Sequence, residues 1–269
     1  MLAAMGDDDH TRDRVARGWD AAAEGYDAYY VPRFAPWVAD AVGAVTGVPL
    51  PDGPVLVPCC GTFPELPALA EHLPGREIVG IDLSSGMVGI ARAAAAAHPG
   101  VTVLHGDAAT LDARWTGACA AVVSVFGLQQ LPDPAAALRS WAAALRPGGR
   151  LSVVFWPGHT EREGPFALVK ELLGRTSDRS WEDRLTLPGV ERDEEVAHPI
   201  SHPDAATCFD AHIRSGPLRP LADERGPGFV ARLRAEFLRR APAGEWVHRP
   251  VARHIVLDAA GAVRGPASP

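Results

Sequence analysis

The fold of this chain is decided by residues 55–87, which read VLVPCCGTFPELPALAEHLPGREIVGIDLSSGM. Two short apolar runs, Val55–Val57 and Ile78–Ile81, flank a helical stretch at Pro64–His72. Apolar runs of this length that alternate with helices are typical of βαβ units around a buried parallel sheet. The stretch therefore predicts the first strand, the first crossover helix and the second strand of an α/β domain.

The same alternation continues to residue 157. Ser84 and Ser85 are suitable N-cap residues for the next helix, and Asp133-Pro134 begins a later one. Helices are predicted at Ser84–Ala97 and Asp133–Leu145, and strands at Val101–Leu104, Ala120–Phe126 and Leu151–Phe155. We therefore expect a Rossmann-like, doubly wound α/β core.

The regions outside this core have other patterns. Residues 1–50 have helical spacing with many aromatic side chains, and Pro32 and Pro36 are expected to break them into two helices. Beyond residue 157 the alternation is lost, although a strand is expected at Val196–Ile200. We divide the chain into an N-terminal helical cap at 1–50, the core at 51–157, a substrate-covering helical insertion at 158–249, and a last strand with a flexible tail at 250–269.

Composition and charge exclude several classes of protein. The chain has 269 residues and a formal net charge of -7, which argues against a nucleic-acid or anionic-membrane binder. No apolar run reaches the roughly 18 residues of a membrane helix, and no secretory signal is apparent. Four cysteines without C-x-x-C spacing predict neither a disulfide framework nor a metal site. We therefore expect a cytoplasmic protein, monomeric or homodimeric, that acts on a small molecule.

Three features fall at the strand ends, where doubly wound sheets bind their ligands. The first is the turn around Gly61. The second is Asp82, 21 positions later (82 − 61), which is well placed to accept both ribose hydroxyls of an adenosine ligand. The third is Gly106-Asp107-Ala108, where a side chain could accept the adenine amino group. The structural alternatives are a cap for the following helix at Asp82 and an Asx turn at Asp107.

The order of these motifs resembles the class I S-adenosylmethionine-dependent methyltransferases, in particular those of ubiquinone and menaquinone biosynthesis. The resemblance covers about residues 19–157. It rests on Tyr26-Asp27, residues 32–37 (PRFAPW), 80–87 (GIDLSSGM), 106–108 (GDA), 128–133 (LQQLPD) and 145–151 (LRPGGRL). It implies a seven-stranded sheet whose last strand is antiparallel, and S-adenosyl-L-methionine as the cofactor.

The resemblance also implies roles for single residues. Asp82 would bind the ribose and Asp107 would lie near the adenine, while Leu83 and Met87 would pack against the adenine face. The backbone around Gly61 and the end of the fourth strand would lie near the methionine part. The predicted cofactor-binding residues are Pro58, Cys59, Gly61, Asp82, Leu83, Met87, Asp107, Ala108, Val125 and Phe126.

The first turn departs from the family, in which it usually reads acidic-x-Gly-x-Gly-x-Gly. The corresponding positions here are Val57, Cys59, Gly61 and Phe63, so one glycine remains and the acidic residue is lost. A left-handed conformation at Phe63 would cost roughly 1–2 kcal/mol. Either the loop follows another path, or Phe63 fills the volume of the methionine end. The change at Val57 also removes a partner for the ammonium group of the ligand.

Substrate contacts are predicted at Tyr26, Gln129 and Gln130. His202 or Tyr30 is predicted to act as a general base if the acceptor must lose a proton. Each has a structural alternative, since aromatic residues at helical spacing usually pack and histidines often cap helices or lie at the surface. Cys59 and Cys60 are interpreted as packing residues rather than as a nucleophile and its neighbour.

The leading hypothesis is methyl transfer from S-adenosyl-L-methionine to a small organic acceptor in bacterial secondary metabolism, such as natural product biosynthesis. One alternative is an enzyme of the same fold with repurposed chemistry, in which the cofactor is absent or does not donate its methyl group. Such an enzyme would catalyse a cyclisation, a rearrangement or an elimination on a natural product. A second alternative is a non-catalytic ligand-binding or partner subunit.

Overall fold

The computed structural model describes residues 2–174, 180–215 and 218–259, and for residues 2–11 and 220 the backbone alone. The helices of at least one full turn are α1 (Leu2–Tyr29), α2 (Val31–Thr46), α3 (Leu66–His72), α4 (Ser85–Ala95), α5 (Pro134–Ala143), α6 (Pro165–Leu172), α7 (Ala205–Ser215) and α8 (Arg219–Arg240). The strands are β1 (Val55–Pro58), β2 (Ile78–Asp82), β3 (Val101–His105), β4 (Cys119–Val125), β5 (Leu145–Phe155), β6 (Val190–Ala197), β7 (Ile200–His202), β8 (Trp246–His248) and β9 (Val251–Asp258). The predicted flexible tail beyond residue 259 lies outside the described residues.

Seven strands form the main sheet, in the order β3-β2-β1-β4-β5-β9-β6. The strands from β3 to β5 pair in parallel, and β9 runs antiparallel to both of its neighbours. Strands β7 and β8 form a separate two-stranded sheet. The prediction of a doubly wound, Rossmann-like sheet of seven strands with an antiparallel last strand is confirmed.

Helices cover both faces of the sheet, and alternate residues of β1 face opposite layers. Val55 and Val57 pack into the layer of α2, α3 and α4, which contains Trp37. Leu56 packs into the layer of α5, which contains Trp141. This double burial is the reason why the parallel strands appear in the sequence as continuous apolar runs.

The N-terminal cap forms two helices, as predicted, but they meet at Tyr30 rather than at the prolines. Pro32 lies in the first turn of α2, where a missing N–H group has no cost. Pro36 lies inside α2 without breaking it, so the expected break there is wrong. The buried face of α2, with Phe34 and Trp37, provides the packing that compensates for the lost hydrogen bond.

The predicted insertion at 158–249 contains, among its described residues, one strand of the main sheet in addition to helices. This strand, Val190–Ala197, begins earlier than the predicted strand at Val196–Ile200. It reads VERDEEVA and lies at the sheet edge, where charged side chains are favoured and no apolar run is needed. The division of the chain into four segments stays a prediction. Of the described helices, none is both long and apolar enough to cross a membrane.

Candidate active site

A cavity of about 430 Å³ lies at the carboxyl ends of β1, β2 and β4. We call it the strand-end cavity. Of the ten predicted cofactor-binding residues, those that line it are Cys59, Gly61, Asp82, Leu83, Met87, Asp107, Ala108, Val125 and Phe126. Pro58 is not in the lining; its carbonyl oxygen accepts a hydrogen bond from Ser124 Oγ at 2.8 Å. The position and the volume are ordinary for a small-molecule site in a doubly wound sheet.

The first turn of the core contains strained residues. Cys59 and Phe63, which stand where the family has glycines, have φ angles of 56° and 72°. Phe126, at the end of β4, has a φ angle of 58°. Gly127 leaves room for this turn, because a Cβ atom there would collide with Cys59. Left-handed conformations of residues other than glycine persist only where the surroundings enforce them, and they cluster at functional sites.

Phe63 is buried in the core and is not among the residues that line the cavity. Its ring lies against β2, where a Cβ atom at Gly80 would be 2.9 Å from Phe63 Cε1 and 2.9 Å from Cys60 Sγ. The expectation that Phe63 fills the methionine end is therefore wrong. The left-handed conformation is adopted despite its strain, and the burial of the ring compensates for it by about 1.5–3 kcal/mol.

Asp82 holds the first turn and the start of α4 together. Its Oδ2 accepts a hydrogen bond from the N–H of Gly61 at 2.8 Å, and its Oδ1 accepts one from the N–H of Ser84 at 2.9 Å. Burial raises the pKa of Asp82, and these two N–H groups partly offset the rise. A carboxylate oxygen can accept two hydrogen bonds, so both oxygens retain capacity for a ligand. The capping role and a binding role are thus compatible.

Asp107 lies at the rim of the cavity, with a side chain that is 39% exposed. Its Oδ1 accepts a hydrogen bond from the N–H of Ala109 at 2.8 Å, so the alternative of an Asx turn is present. Its Oδ2 lies 3.8 Å from Nη1 of Arg12. The neighbouring carbonyl oxygen of Ala108 accepts a hydrogen bond from Trp141 Nε1 at 2.8 Å, which anchors this loop to α5.

The N-terminus of α4 is capped from two sides. Ser84 Oγ accepts a hydrogen bond from the N–H of Met87 at 3.1 Å. Asp20 of α1 accepts hydrogen bonds from Ser84 Oγ at 2.7 Å and from the N–H of Gly86 at 2.9 Å. The long helix α1 is thereby attached to the edge of the cavity that Leu83 and Met87 line.

Two buried polar residues that line the strand-end cavity are not among the site residues predicted from the sequence. Glu65 and Thr62 both line it, and they are 1% and 4% exposed. Glu65 Oε2 and Thr62 Oγ1 have no hydrogen-bond partner among the described residues. Burial, together with the charge of Asp82, raises the pKa of Glu65 to about 8. Nothing in the sequence marks Glu65, since an acidic residue before a helix is usually exposed to solvent.

The two cysteines of the turn have unreactive surroundings. Both cysteines line the strand-end cavity, and Cys60 also packs in the core against Gly80. Burial and the charge of Asp82 raise the pKa of both thiols well above the ordinary value. The thiolate is the nucleophilic form, so both residues are poor nucleophiles at neutral pH. This favours the packing interpretation.

A second cavity, of about 340 Å³, adjoins the first. We call it the aromatic cavity. It shares Trp19, Tyr26, Phe126 and Gln130 with the strand-end cavity, and its further lining residues are Tyr30, Phe34, Gln129, Trp156, Pro157, Gly158, Thr160, Phe166, Val169, Lys170, Leu173, His212 and Leu218. Phe126 and Trp156 stack with their ring centroids 4.0 Å apart and their planes 5° apart. Its walls are therefore formed mainly by aromatic rings.

The predicted substrate residues lie in these walls. Tyr26 and Gln130 line both cavities, so they stand where the cavities meet. Gln129 lines the aromatic cavity, but its amide is bound to the backbone: Nε2 donates to the carbonyl oxygen of Phe126, and Oε1 accepts from the N–H of Trp156 at 3.4 Å. Contact of these residues with a substrate stays a prediction.

His212 is a histidine that faces the aromatic cavity. Its Nδ1 lies 2.9 Å from the carbonyl oxygen of Cys208 and 3.0 Å from the hydroxyl of Tyr30. A carbonyl oxygen only accepts hydrogen bonds, so in the neutral ring Nδ1 carries the hydrogen and Nε2 keeps a free lone pair. Burial lowers the pKa of His212 to about 4. Tyr30, which was also predicted as a base, lines the same cavity, and its hydroxyl is the group in contact with His212 Nδ1.

His202, the other predicted base, lines neither cavity. Its Nδ1 lies 2.7 Å from the hydroxyl of Tyr29, and its Nε2 lies 3.1 Å from Nε2 of His248. His248 Nδ1 lies 2.6 Å from Oε2 of Glu161. A single direction of donation, from Tyr29 to His202, His248 and Glu161, satisfies the chain with neutral imidazoles. Burial lowers the pKa of His202 to about 3, and both of its nitrogens are occupied. This geometry favours a structural role.

Comparison with known proteins defines the class of the core. Residues 55–149 match the family described as a methyltransferase domain. Demethylmenaquinone methyltransferase of Staphylococcus aureus (strain JH9) is 35% identical over 92 residues. That match covers 34% of this chain and 38% of the relative, so the chain spans well under two thirds of that protein's length.

Solved structures share the fold over a greater length. Phosphoethanolamine N-methyltransferase 2 of Haemonchus contortus, solved with phosphomonomethylethanolamine and S-adenosylhomocysteine, has a TM-score of 0.56 at 14% identity, and the match covers 93% of this chain and 60% of that one. The [4+2]-cyclase SpnF has a TM-score of 0.52 at 20% identity, with 86% and 81% covered. At these identities the similarity shows the fold alone. Together, the sheet topology and the family match identify residues 55–149 as a class I S-adenosylmethionine-dependent methyltransferase domain, as the sequence motifs predict.

Proposed function

We propose that the protein transfers a methyl group from S-adenosyl-L-methionine to a small, largely apolar organic acceptor. The observation that carries this proposal is the pair of adjoining cavities, one acidic and at the strand ends, the other walled by aromatic rings. The methyltransferase domain match over residues 55–149 supports the reaction type. Action in the cytoplasm and in secondary metabolism belongs to the same proposal.

The strand-end cavity fits the nucleoside part of this cofactor. Asp82 retains lone pairs at both carboxylate oxygens, which suits the two hydroxyls of a ribose. Leu83 and Met87 provide apolar surface for a base beside it. Phe63, which could have obstructed the site, lies in the core instead.

The charge of the cavity also fits a cationic ligand. Glu65, Asp82 and Asp107 place three carboxyl groups in the lining, and Arg12 is the one basic residue among the described lining residues. A ligand that carries a sulfonium and an ammonium group complements this excess of acidic side chains. The aromatic faces of Trp19 and Tyr26, where the cavities meet, suit a positively charged sulfur.

The cofactor supplies a methyl group on a positively charged sulfur, which needs no further activation by the protein. The contribution of the protein is therefore alignment of the acceptor and exclusion of water. Phe126 belongs to both cavities and stacks on Trp156, so these rings form a rigid wall at the junction. An apolar molecule in the aromatic cavity would displace water from this wall.

We propose His212 as the group that receives a proton from the acceptor. His212 lines the aromatic cavity, its Nε2 has no hydrogen-bond partner among the described residues, and its Nδ1 is fixed by the carbonyl oxygen of Cys208. The lowered pKa of about 4 keeps the ring neutral at physiological pH, so it is available as an acceptor. This arrangement suits an acceptor with an acidic O–H group, such as a phenol or a quinol.

Calorimetry and product analysis test the proposal. Titration of the purified protein with S-adenosylhomocysteine should show binding, and labelled S-adenosyl-L-methionine should transfer its label to one or more members of a panel of phenols, quinols and amines. We expect the phenols and quinols to react in preference to the amines. Absence of calorimetric binding of both cofactor forms would overturn the proposed function.

A second candidate function is a rearrangement or cyclisation on the same fold. Two observations favour it: the strained first turn, with Cys59 and Phe63 in place of glycines, and the shared fold with a protein named as a [4+2]-cyclase. This function predicts binding of S-adenosylhomocysteine without label transfer, and a product whose mass equals that of its substrate. Mass spectrometry distinguishes the two, because methylation adds the mass of one methylene group.

A further inference from the structure

Glu65 is a buried carboxyl group with one oxygen, Oε2, that the described residues leave without a hydrogen-bond partner. The residue is 1% exposed, lines the strand-end cavity and directly precedes α3. Its Oε2 has no hydrogen-bond partner, and the described residues provide no ion-pair partner for it. A buried carboxyl group without a partner destabilises a fold, so such a group calls for a role that the protein alone does not show.

Among the described residues, Asp82 acts on the charge of Glu65, whereas Arg12, the basic residue in the cavity lining, lies near Asp107. Asp82 acts on Glu65 electrostatically, and both groups act on Tyr26 and on Cys60. No basic side chain contributes to the pKa of Glu65, which burial and Asp82 raise to about 8. A ligand that brings a positive charge to this end of the cavity would therefore stabilise the ionised form of Glu65.

The position of Glu65 in the chain adds to this argument. It lies two residues after Phe63, at the end of the first turn, whereas Asp82 lies at the end of the neighbouring strand. The family's acidic residue at the start of this turn is replaced by Val57, which is buried in the core. The chain thus lacks a carboxylate at one end of the turn and has an unpartnered one at the other end.

We propose that Glu65 receives the ammonium group of the amino-acid chain of S-adenosyl-L-methionine and replaces the carboxylate that is missing at Val57. Thr62, whose hydroxyl is also buried without a partner among the described residues, is a second polar group for the amino-acid part of the cofactor. This inference rests on the proposed function, because it assumes that the cofactor binds in the strand-end cavity. It assigns the amino-acid part of the cofactor to Glu65 and leaves the nucleoside part to Asp82.

The test compares two ligands that differ in the amino-acid chain. S-Adenosylhomocysteine carries that chain, and 5′-methylthioadenosine is the corresponding nucleoside without it. Calorimetric titration of E65Q should show a loss of affinity for S-adenosylhomocysteine of roughly 10- to 100-fold, the usual effect of one charge-assisted hydrogen bond. Affinity for 5′-methylthioadenosine should be unchanged, which also shows that the variant is folded. The matched control is E71Q, an exposed glutamate on α3, which should change neither affinity.

The outcomes separate this inference from the proposed function. If wild type binds neither ligand, the proposed function fails and the inference fails with it. If wild type binds both but E65Q binds S-adenosylhomocysteine as tightly as wild type, the inference alone is wrong. The inference is also wrong if E65Q loses affinity for both ligands equally, since Glu65 would then only support the cavity.

The pH dependence of binding gives a second readout. The ammonium group requires ionised Glu65, so affinity for S-adenosylhomocysteine should rise between about pH 6 and 8, where the carboxyl loses its proton. The other titratable groups that face Glu65 are Asp82, Tyr26, Cys59 and Cys60, and all of them are retained in E65Q, which therefore controls for their titration. The affinity ratio of S-adenosylhomocysteine to 5′-methylthioadenosine should therefore rise with pH in wild type and stay constant in E65Q. A constant ratio in wild type would contradict the inference.

Discussion

The strand-end cavity and the aromatic cavity share four residues, but they are built in different ways. The strand-end cavity consists largely of turns and short side chains at the ends of β1, β2 and β4, with part of α1 above them. The aromatic cavity takes large side chains from distant parts of the chain, such as Phe34, Phe166 and His212. Under the proposed function, the sheet fixes the nucleoside site, whereas the packing of the flanking helices selects the acceptor.

The buried titratable groups of the two regions are of opposite type, with carboxyl groups in the first region and histidines in the second, and their pKa values shift in opposite directions. In the strand-end cavity, burial raises the pKa of Glu65 and Asp82. In the region of the aromatic cavity, burial lowers the pKa of His202 and His212. The cause is the same, since removal from water disfavours the charged form of either type of group. These shifts are consistent with the proposed cationic cofactor in the strand-end cavity and the proposed uncharged acceptor in the aromatic cavity.

The largest expected effect is on the rate and belongs to the aromatic cavity. The substitution His212→Gln removes the proposed base and should lower kcat by about 10²–10⁴-fold, the usual contribution of such a group. Affinity for S-adenosylhomocysteine should stay at the wild-type level, because His212 does not line the strand-end cavity. Steady-state kinetics and calorimetry measure the two quantities, and H72Q, at an exposed site on α3, is the control. A loss of cofactor affinity in H212Q would contradict the separation of the two sites.

The next effect is on cofactor affinity and belongs to the strand-end cavity. The substitution Asp82→Ala removes two charge-assisted acceptors, and affinity for S-adenosylhomocysteine should fall by about 100-fold or more. Affinity for 5′-methylthioadenosine should fall equally, in contrast to the effect of E65Q. Calorimetry measures both, with D52A at an exposed position as the control. Unchanged affinities in D82A would exclude Asp82 from the nucleoside site.

A smaller effect concerns the stability of the first turn. The substitution Gly80→Ala places a Cβ atom 2.9 Å from Phe63 Cε1 and from Cys60 Sγ, and should lower the free energy of unfolding by about 1–3 kcal/mol. The control is Gly89→Ala, an exposed helical site with nothing within 4 Å of the added atom, which should increase stability by about 0.5–1 kcal/mol. Denaturant titration gives both values. Equal stability of the two variants would show that the packing of the Phe63 ring does not require a glycine at position 80.

The last effect is absent at neutral pH: stability should change gradually at acidic pH because of His202 on β7 and His212 on α7. The pKa of His202 is lowered from 6.5 to about 3 and that of His212 to about 4, so the unfolded chain binds more protons than the folded one below pH 6.5. The contribution of these two neutral histidines to the free energy of unfolding is fully present above pH 6.5. It should decrease steadily as the pH falls toward 4. Thermal denaturation at stepped pH values measures it, and H202Q should show a weaker dependence than wild type. A flat profile would mean that these rings are accessible to solvent.

Much of the strand-end cavity was predictable because a parallel sheet relates its parts by short, regular spacings. The position of Asp82 follows from one βαβ unit, and Asp107 follows from the next strand. The conformation of Phe63 was not predictable in the same way, since its φ of 72° depends on the space that Gly80 leaves on another strand. The burial of Glu65 has the same origin, because an acidic residue before a short helix has no local signal of being enclosed.

The aromatic cavity was less predictable because its residues meet only after the chain has folded. Tyr30 and His212 are 182 positions apart and come within 3.0 Å. His202 was the histidine that the sequence analysis predicted as a base, but its two nitrogens are both occupied, by Tyr29 and His248. By itself the sequence determined the sheet and most of the residues that line the strand-end cavity, because hydrophobic periodicity and strand-end turns are local. Only the tertiary structure decided which histidine lines the aromatic cavity and which carboxyl oxygen lacks a partner, since burial and hydrogen bonding depend on residues that are distant in the chain.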